Sequence, residues 1–250
     1  MVKLLSWITL VFYMHVKAIQ VKGPAGFKGA MPIRMGCDQP MKPCTEIKKE
    51  TVKMKPEIDK LTPENIVSFI GSIFDRRGGE EYLGEPVNMG QHMLQGATIA
   101  EQNGQSEEII VGALLHDIGH FTSEFGTFTM NDTEDRHHED AGAEVLERFF
   151  PSIITDCVRY HVAAKRYLCA TRPEYFRRLS KASVHSLNLQ GGPMNSEEVA
   201  EFEKNPNLEK IIAVRYLDDA GKRPDMETPD YWHFAPMVQR IVNRHSAKVP

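Results

Sequence analysis

The chain has 250 residues, 41% of them apolar and 26% charged, with a formal charge of −4; this is ordinary globular composition, enough for one sizeable domain or two small ones. Acids and bases are interspersed and no basic cluster stands out, which argues against a nucleic-acid or anionic-membrane binder. Bulk electrostatics points to small-molecule chemistry or to none.

Lys3 precedes the apolar run from Leu4 to Val16, and Val16 and Ala18 fit the small-residue positions of a cleavage site. Residues 1–18 read as a secretory signal peptide; an organelle leader and a misassigned start are the other readings, so a cytoplasmic or organellar compartment stays open. The run is short for a bilayer span and is interrupted by His15 and Lys17, so no stable membrane anchor is expected. Residues 19–61 read as a flexible linker, with Gly23, Pro24, Gly26 and Gly29 followed by a lysine- and glutamate-rich stretch ending in Pro56. Cys37 and Cys44 lie in it and would pair only in an oxidising compartment; with Cys157 and Cys169 they match no zinc-finger spacing.

Periodicity begins at Thr62, an N-cap before Pro63, with Ile66, Phe69, Ile70 and Ile73 at helical spacing and a stop at Gly78-Gly79. A second helix carries Met89, His92, Gly96 and Ile99 and stops at Asn103-Gly104. The third is capped by Ser106, has Glu107 and Glu108 in its first turn, and runs through Ile109, Ile110, Ala113 and Leu114 into His116-Asp117, breaking at Gly119. A fourth shows His138, Ala141, Gly142, Val145, Leu146 and Phe149 on one stripe; a fifth, after Pro151 and Ser152, puts Ile154, Cys157, Val158 and His161 in register. Shorter helices follow Arg172-Pro173, Ser180 and Ser196. Leu208, Ile211, Ile212, Arg215 and Asp218 share a face of a helix ending near Gly221, and a last helix holds Met237, Val238, Ile241 and Val242. No stretch alternates with period two, so residues 62–250 are expected to form an all-α helical bundle with the chemistry in its core.

A single histidine on an apolar helix face is more often a core residue than a ligand. Here His92, His116, His138 and His161 all fall on inward faces, joined by Asp117 and Asp218. Burying carboxylates without compensation costs several kcal/mol each, so such a cluster calls for cations. Imidazole and carboxylate donors without thiolates suit iron, manganese or zinc, and bundle cores build dinuclear sites from facing helices. Two ions need a bridging carboxylate, for which the adjacent His116-Asp117 pair is the natural centre. Lys165, one turn beyond His161, and Arg215, three residues before Asp218, bring positive charge near the cluster; the plainer reading of both is structural ion pairing. His137 is expected at the surface.

The ordered series His92, His116-Asp117, His138, His161 and Asp218 resembles the HD superfamily of metal-dependent phosphohydrolases and its branch of mixed-valent diiron oxygenases. Tyr82-Leu-Gly-Glu85, Leu114-Leu-His-Asp-Ile-Gly-His120, His161-Val-Ala-Ala-Lys-Arg-Tyr-Leu-Cys-Ala170 and Leu189-Gln-Gly-Gly-Pro-Met194 are similar to the 1-hydroxy-2-aminoethylphosphonate dioxygenases and their trimethylamino-substrate relatives. The resemblance implies two iron ions as an Fe(II)/Fe(III) pair, one held by His92, His116, Asp117 and Asp218, the other by His138, His161 and the bridging Asp117. It also implies that Tyr82 and Glu85 form an active-site loop pair, and that His120, Lys165, Ser183, Gln190 and Arg215 receive the substrate.

The implied activity is O2-dependent cleavage of the C–P bond of a small organophosphonate, giving phosphate and glycine or glycine betaine. The amino and trimethylamino substrates stay undecided, as does the oligomeric state. Two rivals share the ligand set: an HD-type hydrolase of phosphate esters, and an inactive domain kept as a metal-dependent interaction module.

Overall fold

The computed structural model describes residues 58–82, 84–122, 133, 135 and 137–248. The expected leader at 1–18, the linker as far as residue 57, and Cys37 and Cys44 lie outside the described residues. Within them the architecture is helical throughout, the only strand-like feature being one isolated antiparallel bridge between Glu81 and Asn88. None of the helices is long and apolar enough to cross a membrane.

The first helix, α1, spans Ile66–Arg77, and α2 spans Met89–Gln102. Thr62 does not cap α1: its N–H donates to Asn65 Oδ1 at 2.8 Å and its carbonyl accepts from Asn65 and Ile66, so residues 62–65 form a turn and the helix starts at Ile66. At α2 the start is a capping box: Asn88 accepts from the Gln91 N–H, and the Gln91 side chain accepts from the Asn88 N–H.

Helix α3, Glu107–Leu115, is apolar on every side, and Ile109 through Leu115 are all buried. Such a helix belongs at the centre of a fold. It packs against α2, against α6 (Ser152–Thr171), against α10 (Leu208–Ala220) and against the terminal α11 (Tyr231–Ser246). The chain turns at residues 116–118, and the short α4, Gly119–Thr122, follows. Gly119 therefore opens a helix rather than closing one. Its lack of a side chain serves packing: a methyl group there would overlap the carbonyl oxygen of His138 and approach Gly142 N at 2.8 Å, because α4 lies directly on α5, His138–Leu146.

Three shorter helices, α7 (Pro173–Phe176), α8 (Lys181–Leu189) and α9 (Ser196–Phe202), follow α6. Leu168, Cys169, Tyr175 and Leu187 make a small satellite core beside the main one. Cys157 is core, and burial pushes its thiol up to about 12. Helix α11 begins six residues earlier than the Met237 stripe suggests, because the Asp230 side chain accepts from the His233 N–H and caps it ahead of the internal Pro236.

Gly119→Ala should lower stability by about 3 kcal/mol or more, since neither facing backbone can retreat. Gly79→Ala, where an added methyl meets nothing within 4 Å, should stay within about 0.5 kcal/mol. Urea denaturation of the two variants checks the pair.

Candidate metal centre

Four helices and one turn deliver the six expected ligands. His92 comes from α2, His116 and Asp117 from the turn after α3, His138 from the first position of α5, His161 from the middle of α6 and Asp218 from α10. All six are buried.

Main-chain oxygens settle the tautomers of three of the imidazoles. Nδ1 of His92 lies 2.9 Å from the Gly221 carbonyl, that of His116 2.8 Å from Ala113, and that of His161 2.7 Å from Val158. A carbonyl can only accept, so each Nδ1–H donates and each Nε2 is left as the nitrogen that a proton or a metal ion can occupy. These nitrogens converge: the Nε2 atoms of His92 and His116 are 2.9 Å apart, and those of His138 and His161 are 3.1 Å apart. Two imidazole nitrogens at that distance must share a proton or a metal ion.

Asp117 joins the two pairs. Its Oδ2 lies 3.4 Å from both His92 Nε2 and His116 Nε2, and its Oδ1 lies 3.4 Å from His138 Nε2 and 3.2 Å from His161 Nε2. Asp218 Oδ1 is 3.4 Å from His92 Nε2 and has no hydrogen-bond donor among the described residues, while Oδ2 is held by Arg215 at 2.5 Å. Ligand atoms of His92, His116 and Asp218 form one cluster able to hold an ion, and those of Asp117, His138 and His161 form a second. The donor set therefore fits a metal centre, and a buried donor-less carboxylate oxygen fits it further.

The electrostatics agree. Burial presses the His92 pKa down, but the hydrogen bonds and charges of Asp117 and Asp218 outweigh it and lift the value to about 9. Burial also opposes ionisation of the two carboxyls. His116 above all holds Asp117 well below the usual carboxylate range, and Arg215 followed by His116 does so for Asp218. Both carboxylates thus stay charged and draw cations to the Nε2 atoms.

The remaining expected residues line one pocket over this centre. Tyr82 stacks on His92, ring centroids 4.1 Å apart, and burial first, then Asp117 and Asp218, keep its phenol protonated. The Glu85 N–H donates to the Tyr82 carbonyl at 2.7 Å in a turn whose Gly84 has φ 68°, a conformation that glycine adopts without strain. Glu85 accepts from Ser180 Oγ at 2.5 Å and from Lys222 Nζ at 3.0 Å.

His120 stacks on His138 at 4.0 Å, and burial followed by the His138 charge keeps it neutral. Lys165 Nζ donates to Ser186 Oγ at 2.8 Å; burial first and Arg215 next bring its pKa down to about 7. Gln190 Oε1 is buried without a hydrogen-bond partner among the described residues. Ser183 Oγ accepts from Lys222 Nζ at 3.0 Å. Arg215 reaches the pocket wall, but its guanidinium is engaged by Asp218, Asp219 and the Tyr175 hydroxyl, which is the structural ion pairing weighed for it above.

Lys222, Ser180 and Ser186 were not legible as site residues. Lys222 follows Gly221, past the end of α10, where helical periodicity no longer says which way a side chain points. A further cluster, Asp135, His137 and Glu139, sits beside the centre, with the His137 side chain 70% exposed, as expected for that residue.

Comparison with known proteins adds the following. The family model described as the HD domain matches residues 89–249. The [1-hydroxy-2-(trimethylamino)ethyl]phosphonate dioxygenase (glycine-betaine-forming) of Leisingera caerulea is 82% identical over 191 residues, 76% of this chain and 97% of that protein. The hydroxymethylphosphonate dioxygenase of Gimesia maris is 37% identical over 183 residues, 73% of this chain and 90% of the relative.

The split carboxylate predicts a contrast. Asp117→Ala should remove metal binding by both clusters, whereas Asp218→Ala should spare the His138–His161 side. Metal content per folded chain after gel filtration checks this; an Asp117→Ala protein with undiminished metal would refute the shared role.

Proposed function

The chain belongs to the HD-domain family and, within it, to the phosphonate dioxygenases, and from that premise we propose that it cleaves the C–P bond of 1-hydroxy-2-(trimethylamino)ethylphosphonate with O2, giving phosphate and glycine betaine. The observation that carries this reading is one pocket holding two His/Asp clusters joined by Asp117, with lysines and an aromatic–carboxylate pair at its walls. The reaction balances without a further reductant. One oxygen atom completes the carboxylate on C1, the other completes the phosphate, and a single proton is released.

We assign the two clusters to a mixed-valent iron pair, which when bound supplies the one-electron steps that let ground-state O2 react with a closed-shell substrate. The protein's own groups do the rest. Lys165 meets the phosphonate with an ammonium that the dianion keeps protonated, and the Ser183 hydroxyl and the Gln190 NH2 are the neutral donors beside it. Neutral His120 adds no charge to the site and can donate or accept there. Arg215 holds Asp218 in place and adds its field.

For the other end of the substrate, Tyr82 contributes an aromatic face and Glu85 a carboxylate, with Met89 and Val162 as apolar neighbours. A quaternary ammonium has no N–H to donate, so a ring face, an anion and methyl-sized apolar contacts suit it better than hydrogen-bond acceptors alone. Lys222 Nζ, 5.4 Å from the Tyr82 ring centroid and bonded to Glu85, ties this wall to α10. Tyr82 is 9% exposed and Glu85 is closely bonded, so the walls shut out bulk water.

Two outcomes are expected. Iron-loaded protein given the trimethylamino substrate under air should release phosphate and glycine betaine in equal amounts and consume one O2 per turnover. Phosphate released under argon would instead identify a hydrolase. Because Lys165 is charged only below about pH 7, kcat/KM should fall as pH rises through that value, by up to about tenfold per unit. Lys165→Arg, permanently charged, should carry activity to higher pH; an unchanged profile would remove Lys165 from phosphonate binding.

A further inference from the structure

The four ligand imidazoles are not oriented alike. Carbonyl oxygens receive Nδ1–H of His92, His116 and His161. His138 Nδ1 instead faces Glu139 Oε2 at 3.3 Å. Both atoms are buried, and neither has a hydrogen-bond partner among the described residues, so the ion-pair contact between them is the one polar contact each has there. Buried polar atoms are rarely left unpaired, and at this distance a small turn of either side chain lets Nδ1–H donate to the carboxylate. A carboxylate behind a ligand imidazole fixes its tautomer and makes the metal-facing nitrogen more basic than a carbonyl does.

Charge around the two clusters differs in the same sense. The Asp218 carboxylate is countered by Arg215 at 2.5 Å. No lysine or arginine pairs with Glu139 among the described residues, and its one ion-pair contact there is the His138 ring itself. The His138–His161 cluster therefore has an uncompensated anion behind it, and the His92–His116 cluster does not. Of the neighbouring Asp135, His137 and Glu139, only Glu139 is buried.

We propose that Glu139 is a positioning residue that holds His138 in its ligating tautomer and strengthens ion binding by the His138–His161 cluster specifically. The role rests on the two-ion reading above. It makes the centre unequal by construction, through a residue that touches neither substrate nor ion.

Glu139→Gln keeps the shape of the side chain and removes its charge. Iron affinity is measured by titration against a competing chelator for the wild type, Glu139→Gln, Glu139→Asp and His138→Ala, with circular dichroism reporting the fold. The wild type should bind two ions per chain. Glu139→Gln should bind one with unchanged affinity and the other about 10- to 100-fold more weakly, the weakened ion being the one that His138→Ala loses. Glu139→Asp, which keeps the charge, should recover part of the loss, and it decides the matter if Glu139→Gln does not fold.

Wild-type affinities for both ions in these variants would overturn the proposal, as would equal weakening of both. A third wild-type ion lost in Glu139→Gln would mean that Glu139 is a ligand of the outer Asp135–His137 cluster. A wild type binding a single ion would remove the two-ion reading itself, and this role with it.

Discussion

The centre depends on one crowding of nitrogen donors that positive charge must bridge. The backbone brings imidazole Nε2 atoms together, 2.9 Å apart on one side and 3.1 Å on the other, with a carboxylate oxygen turned to each pair. An arrangement so costly without positive charge acquires its sense once ions share those donors. Burial, the ionised state of Asp117 and Asp218, and the donor-less oxygen of Asp218 all belong to the same balance.

Around that balance the fold separates two tasks. The buried α3 and the helices packed on it fix the ligands, while the 78–88 segment, α8 and the residues just past α10 supply the walls. Glu85 is the joint between the wall pieces, accepting from Ser180 at the start of α8 and from Lys222 beyond α10. Arg215 joins walls to ligands, since the residue that faces the pocket also holds Asp218.

Much of this was legible in the amino-acid order, for a physical reason. Ligands sit on inward helix faces, and helical period reports faces, so His92, His138, His161 and Asp218 announced themselves as polar breaks in apolar stripes. The helices themselves were legible for the same reason. What escaped lies where period carries no information. Lys222 stands past a helix end. Glu139 reads as an ordinary acidic residue in the first turn of α5, favourable there whatever else it does. Gly119 reads as a helix stop, and only the contact with His138 shows that it is the place where two backbones touch. Asn65 moved the start of α1 past the Thr62-Pro63 signal to the first residue of its apolar stripe, and Asp230 moved the start of α11 ahead of its stripe.

The contact of α4 with α5 has a consequence for how such a site can diversify. Gly119 directly follows the His116–Asp117 turn and abuts the carbonyl of His138, so the segments carrying ligands for both clusters are fixed to each other main chain to main chain. The separation of those two segments is thus a backbone property. Side chains at the mouth are free to be exchanged for others suited to a larger or smaller organic group, and the chemistry beneath them keeps its gauge.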